Sequence, residues 1–182
     1  MTLVLDGSTG VSAVQDGVVT AADLASGAIT ASALPAGSVL QVVQGTYQTY
    51  TDFNTGTYTD SGLTVTITPS SATSKVLVTA VAPGCGSDNG ANTSSRGMYR
   101  LVSVISGATT AIQNLDSLNG YTATTSADFS PVVGTILHTP STTSAVTYKL
   151  QYQSDNGGTV AFLKSNSGQV PLGTITAMEI AG

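Results

Sequence analysis

Val146-Thr-Tyr-Lys-Leu-Gln-Tyr-Gln153 decides the fold class. Val146, Tyr148, Leu150 and Tyr152 fall on one side of an extended chain, and Thr147, Lys149, Gln151 and Gln153 fall on the other. A period of two with an apolar and a polar face is the mark of a half-buried strand. Leu63, Val65 and Ile67 repeat the pattern in Gly62–Thr68. Further strands are expected at Val39–Gln48, Lys75–Ala82, Gly97–Ile105, Val132–His138, Ala145–Gln153, Thr159–Lys164 and Thr174–Ile180. Pro69–Ser74 and Pro140–Ser144 read as turns that each feed a strand, and Asn-Gly pairs at 89–90, 119–120 and 156–157 supply turn chemistry. About eight short strands between turn signals indicate an all-β, antiparallel, jelly-roll-like sandwich.

Composition agrees. Charged residues are 8% of the 182-residue chain, against roughly a quarter in average soluble domains. Thr, Ser and Gly replace them, which suits pleated sheets better than solvated helices. Five basic and ten acidic residues give a net charge of −5. No Lys/Arg cluster exists from which to build a nucleic-acid patch. The longest apolar runs are strand-sized, so no membrane insertion is expected. Met1–Asp6 lacks the positive start of a signal peptide. Cys85 is the single cysteine, and a free thiol suits synthesis in a reducing cytoplasm.

In front of the sandwich, Gly7, Gly17, Gly27 and Gly37 recur every ten residues. Gly17-Val-Val-Thr-Ala-Ala-Asp-Leu24 and Gly27-Ala-Ile-Thr-Ala-Ser-Ala-Leu34 each place a Leu seven residues after the Gly, and a looser copy places Val14 likewise. A fixed period marks units that cannot bury their apolar face alone. These copies are too few for a solenoid within one chain, so Val14, Val19, Leu24, Ile29 and Leu34 are expected to pack against the same residues of other chains. The alternative is a flexible Ala/Ser/Gly tail. The expected organisation is an attachment and trimerisation arm at 1–34, a linker at 35–37 and a sandwich head at 38–182.

Little in the sequence supports catalysis. His138 is the only histidine, and no nucleophile elbow occurs. Cys85, between two glycines, is expected to be flexible and exposed, with no adjoining cation to activate it. Asp52, Asp60, Asp116, Asp128 and Asp155 read as turn formers rather than as a glycosidase pair. One Cys and one His cannot complete a zinc site. Asp88-Asn-Gly-Ala-Asn92 lacks the Glu of a calcium loop. No metal, no cofactor and no enzyme activity are therefore expected. Glu179, the only glutamate, is expected to pair with Arg96 or Arg100 or to lie at the surface.

Three stretches are candidates for recognition. Tyr47–Asp60 gathers four of the ten aromatic residues with hydroxyl and amide groups. Tyr47, Tyr50, Asp52, Asn54 and Tyr58 could stack on and hydrogen-bond to a sugar, or form a wet interface between subunits. Two long loops, Pro83–Arg96 and about Asn114–Phe129, add Asp88, Asn89, Asn92 and Tyr121.

The decad segment Gly17–Thr30 resembles repeats in tailed-bacteriophage fibre proteins. Asp60–Val78, Arg96–Leu101, Pro140–Lys149 and Ile175–Ile180 resemble, in order, the C-terminal β-sandwich of marine and cyanobacterial phage fibres. The resemblance implies a homotrimeric, non-enzymatic virion protein, assembled in the host cytoplasm and displayed at the virion surface. Its arm would dock on another virion protein, a tail or capsid subunit, and its head would meet a host glycan or protein. The leading expectation is a tail fibre for host attachment, with a capsid decoration or head-fibre protein as the alternative. A depolymerase or free lectin-like module is a further one.

Overall fold

The computed structural model describes residues 33–87, 95–120, 128–155, 158–165 and 167–182, with backbone alone at Ser87, Ser95, 116–120 and Asp128. The chain divides into two units, Met1–Pro35 and Ala36–Gly182. Of the arm residues, Val14, Val19, Leu24 and Ile29 lie outside the described residues, and Leu34 sits in a bend before Pro35.

The described residues of the second unit form ten strands: β1 (Val39–Tyr47), β2 (Thr51–Phe53), β3 (Thr59–Ile67), β4 (Lys75–Ser87), β5 (Ser95–Ile105), β6 (Ala108–Gly120), β7 (Asp128–His138), β8 (Val146–Asp155), β9 (Val160–Phe162) and β10 (Gly173–Ile180). They form two antiparallel sheets. In the first, β4 is the spine: β7 runs along one side of it, and β10 followed by β9 runs along the other. β1 lies outside β10, and β2 lies outside β9. The second sheet has the order β3-β8-β5-β6. Without the short β2 and β9, the orders are β1-β10-β4-β7 and β3-β8-β5-β6. Every link between successive long strands crosses from sheet to sheet except the β5–β6 hairpin, which is the connectivity of an eight-stranded jelly roll.

The alternation read from the sequence builds the core. Val146, Tyr148 and Leu150 of β8 and Leu63 of β3 are fully buried. They face Val76 and Val78 of β4 and Ile175 of β10, which are equally buried. Phe53 stacks on Tyr152 with ring centroids 3.9 Å apart and meets Tyr99 edge-on, filling the core near β2. Each such aromatic pair adds about 0.5–1.5 kcal/mol beyond its buried area.

Several expectations need correction. Asn114–Gly120 is not loop but the end of β6, paired with β5, and Asn119-Gly120 pairs with Ser95 and Arg96 rather than forming a turn. Pro83–Ser87 extends β4 and Ser95–Arg96 begins β5, so that loop shrinks to 88–94. The aspartates read as turn formers sit on strands: Asp52 on β2, Asp60 on β3, Asp116 on β6, Asp128 on β7 and Asp155 on β8. Cys85 is fully buried, its Sγ–H donating to the Ala82 carbonyl at 3.3 Å. Glu179 pairs with neither arginine. It is buried on the core side of β10 and accepts from Gln41 Nε2 at 2.6 Å and from Ser70 N and Oγ, both at 2.7 Å.

Candidate functional site

The aromatic stretch Tyr47–Asp60 passes from one sheet to the other, and that path separates its side chains. Tyr47 ends β1 with its ring turned inward, 6.3 Å from Phe162. It lies over Gly62, where φ is +89° and a Cβ would fall 2.5 Å from the ring. Tyr58 immediately precedes β3 of the other sheet, and the Arg100 guanidinium of β5 covers its ring at 3.9 Å. Asn54 is exposed between them. Tyr50 and Asp52 stay together, two residues apart at the β2 edge, and Tyr50 Oη donates to Asp52 Oδ2.

The register then brings distant residues to the same place. Asp52 pairs with Ala161, Ala161 with Gly86, and Gly86 with Phe129, making one row across β2, β9, β4 and β7. Asp52 is exposed, while Ala161 and Gly86, in the middle of the row, are buried. Lys164 follows β9 and is anchored by its N–H to the Gly84 carbonyl at 2.8 Å. Gly84 has φ +68°, and a Cβ there would lie 2.0 Å from the Lys164 carbonyl oxygen, so only glycine permits this approach. Lys164 Nζ lies 4.0 Å from Asp52 Oδ1, 5.0 Å from the Tyr50 ring centre and 5.8 Å from that of Phe129. A small open cavity of about 140 Å³ adjoins the group, lined by Tyr50, Leu163, Lys164, Ser165, Gln169 and Val170. Burial, with the nearby Asp52 carboxylate, pushes the Tyr50 phenol above its usual range, so it remains a neutral donor.

One aromatic ring, a cation, a hydroxyl and an amide line the cavity, and the Asp52 carboxylate and the Phe129 ring lie beside the same Lys164; such a set can hold a small polar ring by stacking and hydrogen bonding.

The strand ends flanking 88–94 and 121–127 lie at the same end of the sandwich, since Ser87 pairs with Asp128 and Ser95 with Gly120. Asp88, Asn89, Asn92 and Tyr121 themselves lie outside the described residues. Sequence reasoning missed Lys164 and Phe129. One available signal was that Lys164, one of five cations, stands between the apolar run Val160–Leu163 and a Ser/Gly turn.

The outer face of the second sheet holds a different cluster. Arg100 Nε donates to Gln151 Oε1 at 2.8 Å, while Gln151 Nε2 and Lys149 Nζ both donate to Asp60, each at 2.6 Å. These hydrogen bonds hold the Asp60 carboxyl below its usual range against the opposing effect of burial. Arg96 is paired with Asp155 at 2.6 Å. These groups satisfy one another, and Asp60 and Asp155 are both committed to partners.

The two residues that a thiol mechanism would need are far apart. Cys85 pairs with Ser130 and His138 with Val76. Eight residues along β7 separate the two positions, about 26 Å at ~3.3 Å per residue. Burial pushes the Cys85 thiol up to about 11, so it is protonated at neutral pH. His138 instead shares a hydrogen bond of 2.9 Å with Tyr148 Oη, and burial lowers its pKa. Among the described residues, no three of His, Cys, Asp and Glu gather as metal ligands, and no helix is long and apolar enough to cross a membrane.

No protein-family model and no curated protein matches the chain. Solved structures similar to it include the VP2 subviral particle of infectious bursal disease virus, at 16% identity and a TM-score of 0.37, covering 78% of this chain and 37% of that one. Particles derived from the same virus match at 13% identity and a TM-score of 0.39, covering 80% and 37%. Latent PorU from Porphyromonas gingivalis matches at 8% identity and a TM-score of 0.40, covering 81% and 13%. The chain thus spans little more than a third of the viral chains it matches. Likenesses this distant do not bear on what the chain binds or builds.

Proposed function

We propose that this is a non-enzymatic bacteriophage virion structural protein: a homotrimeric short fibre whose arm, residues 1–34, docks on the particle and whose jelly-roll head faces outward to meet the host surface. The observation that carries this reading is the joining of a decad repeat to a charge-poor jelly roll. Three copies of the repeat, each with an apolar residue seven places after its glycine, are too few to stack as a solenoid within one chain, whereas parallel chains supply further copies. The wide separation of Cys85 from His138 and the committed carboxylates of Asp60 and Asp155 support a binding rather than a catalytic role. The Tyr50–Asp52–Lys164–Phe129 cluster is the surface we assign to a host sugar.

Light scattering on the full chain tests the assembly: a mass of three chains is expected, and a monomer would sink the trimer. Titration with host surface polysaccharide tests the site. Tyr50→Ala should weaken binding about tenfold, or ~1.4 kcal/mol, the order lost with one stacked ring. Unaltered binding removes the site, and release of oligosaccharides removes the non-enzymatic reading. Because jelly rolls serve capsid and lectin domains alike, a capsid decoration role is the second reading. Hundreds of copies per particle would select it over a few dozen.

A further inference from the structure

The outer face of the six-stranded sheet is organised in rows of like residues. Register places Val42, Met178, Leu77 and Leu137 side by side across β1, β10, β4 and β7. Two residues along lie Gln44, Thr176, Thr79 and Thr135, and two further Thr46, Thr174, Val81 and Val133. None of these side chains is charged. Val42, Val133 and Leu137 are 54%, 57% and 51% exposed. The opposite sheet carries the Arg96–Asp155 and Lys149–Asp60 pairs on its outer face. An apolar row beside a hydroxyl row is therefore peculiar to one face.

We infer that this face is a contact between heads of the same assembly, with the symmetry axis running along the strands. Rotation about such an axis leaves every row at its own height. The apolar row of one copy then meets the apolar rows of its neighbours, and the hydroxyl row meets hydroxyl rows. The rows of one copy match those of the next, and the charges of this face, Lys75 one row beyond Leu77 and Asp52 on β2, lie outside the three rows.

Area selects a tethered copy over a partner arriving from solution. Four strands at ~4.8 Å and three rows at ~6.7 Å give about 400 Å² per copy, half of the ~800 Å² per partner in a standard stable interface. Such a face does not hold a free partner. It suffices between copies already joined elsewhere, where effective concentrations reach the millimolar range. This step rests on the trimeric arm proposed above.

The test uses the full chain carrying Gln44→Cys and Thr135→Cys. Both positions are exposed and share a row. Three strand spacings separate them within a chain, ~14 Å, too far for an internal disulfide, which needs a Cα separation under ~7 Å. The β7 edge of one head abuts the β1 edge of the next, so mild oxidation should yield a three-chain covalent species on a non-reducing gel. Adding Val42→Glu and Leu137→Glu should abolish it, and a lone Thr66→Cys on the opposite sheet should give none. Thermal melting confirms that each variant is folded. A three-chain mass by scattering without the covalent species overturns this inference and leaves the trimeric arm standing. A monomer without cross-links overturns both. A two-chain mass with the cross-link keeps the face and discards the trimer.

Discussion

Replacing Glu179 by Gln tests how the end of the sandwich is held. The carboxylate is buried on β10, and its two oxygens accept three hydrogen bonds. A glutamine fits the same space with an amide oxygen and an amide nitrogen. With the oxygen toward Ser70, the two bonds from Ser70 N and Oγ survive, weakened from charge-assisted to neutral. The amide nitrogen then opposes Gln41 Nε2, which its second bond to the Thr68 carbonyl at 2.8 Å holds in place. One charge-assisted bond is lost, ~1.5–3 kcal/mol, and two are weakened, so the total is about 2–4 kcal/mol. For a domain of this size that lowers Tm on the order of 10 °C. The cost has a pH signature. Burial raises the Glu179 pKa, but the bonds from Gln41 and Ser70 outweigh it and leave the folded value below the ordinary 4.5. A depressed folded pKa contributes stability that is complete above about 4.5 and is lost as pH falls through the folded value. Urea unfolding of both proteins at pH 7 and down the acid limb should show a gap that narrows below pH 4.5. A variant within 0.5 kcal/mol of the parent at pH 7, or a gap that stays constant in acid, would refute the reasoning.

Two further predictions follow from the core. Burial lowers the His138 pKa below its ordinary 6.5, so the unfolded chain binds the proton first as pH falls. Wild-type stability should therefore decline below about pH 6.5, and His138→Gln should remove that component from the unfolding profile; an identical slope in the variant would exclude His138 as its source. At Gly45, on β1, an added Cβ would lie 1.9 Å from the Thr64 carbonyl oxygen of β3. Gly45→Ala should cost about 1–3 kcal/mol or more by overpacking, and a full-strength thermal transition at the parent temperature would show that β1 and β3 separate more freely than this contact implies.

How legible the fold is in the sequence depends on where each strand lies. β8 and β3 have a sheet neighbour or the core on every inward position, so apolar residues hold strict alternate places. β6 was not recognised, and its geometry explains why. Like β3 it is an edge strand among the described residues, but its pairing with β5 shifts register twice, between Gly97 and Tyr99 and between Leu101 and Val102. Each bulge changes which face the following residues take, so Ala-Thr-Thr-Ala-Ile-Gln-Asn-Leu115 has no constant period. The better signal was its turn. Ser106 and Gly107 both have positive φ, 50° and 84°, the two-residue hairpin geometry that Gly-containing pairs favour.

The candidate site was legible only where neighbours in sequence are neighbours in space. Tyr50 and Asp52, two residues apart, were found because they share one edge. Phe129 and Lys164 reach them through three successive strand pairings and a Gly84 contact, none of which composition encodes. The same reason explains the aspartates. Asp60 looks like a turn former beside Ser61-Gly62 until β8 delivers Gln151 and Lys149 to its carboxylate. The uncharged rows are the extreme case: Val42, Leu77, Leu137 and Met178 occupy four unrelated stretches of sequence, and only register makes them one surface. Pairing information is therefore what separates a correct fold class from a correct surface. In a chain with 8% charged residues that surface is defined less by where charges stand than by which rows lack them.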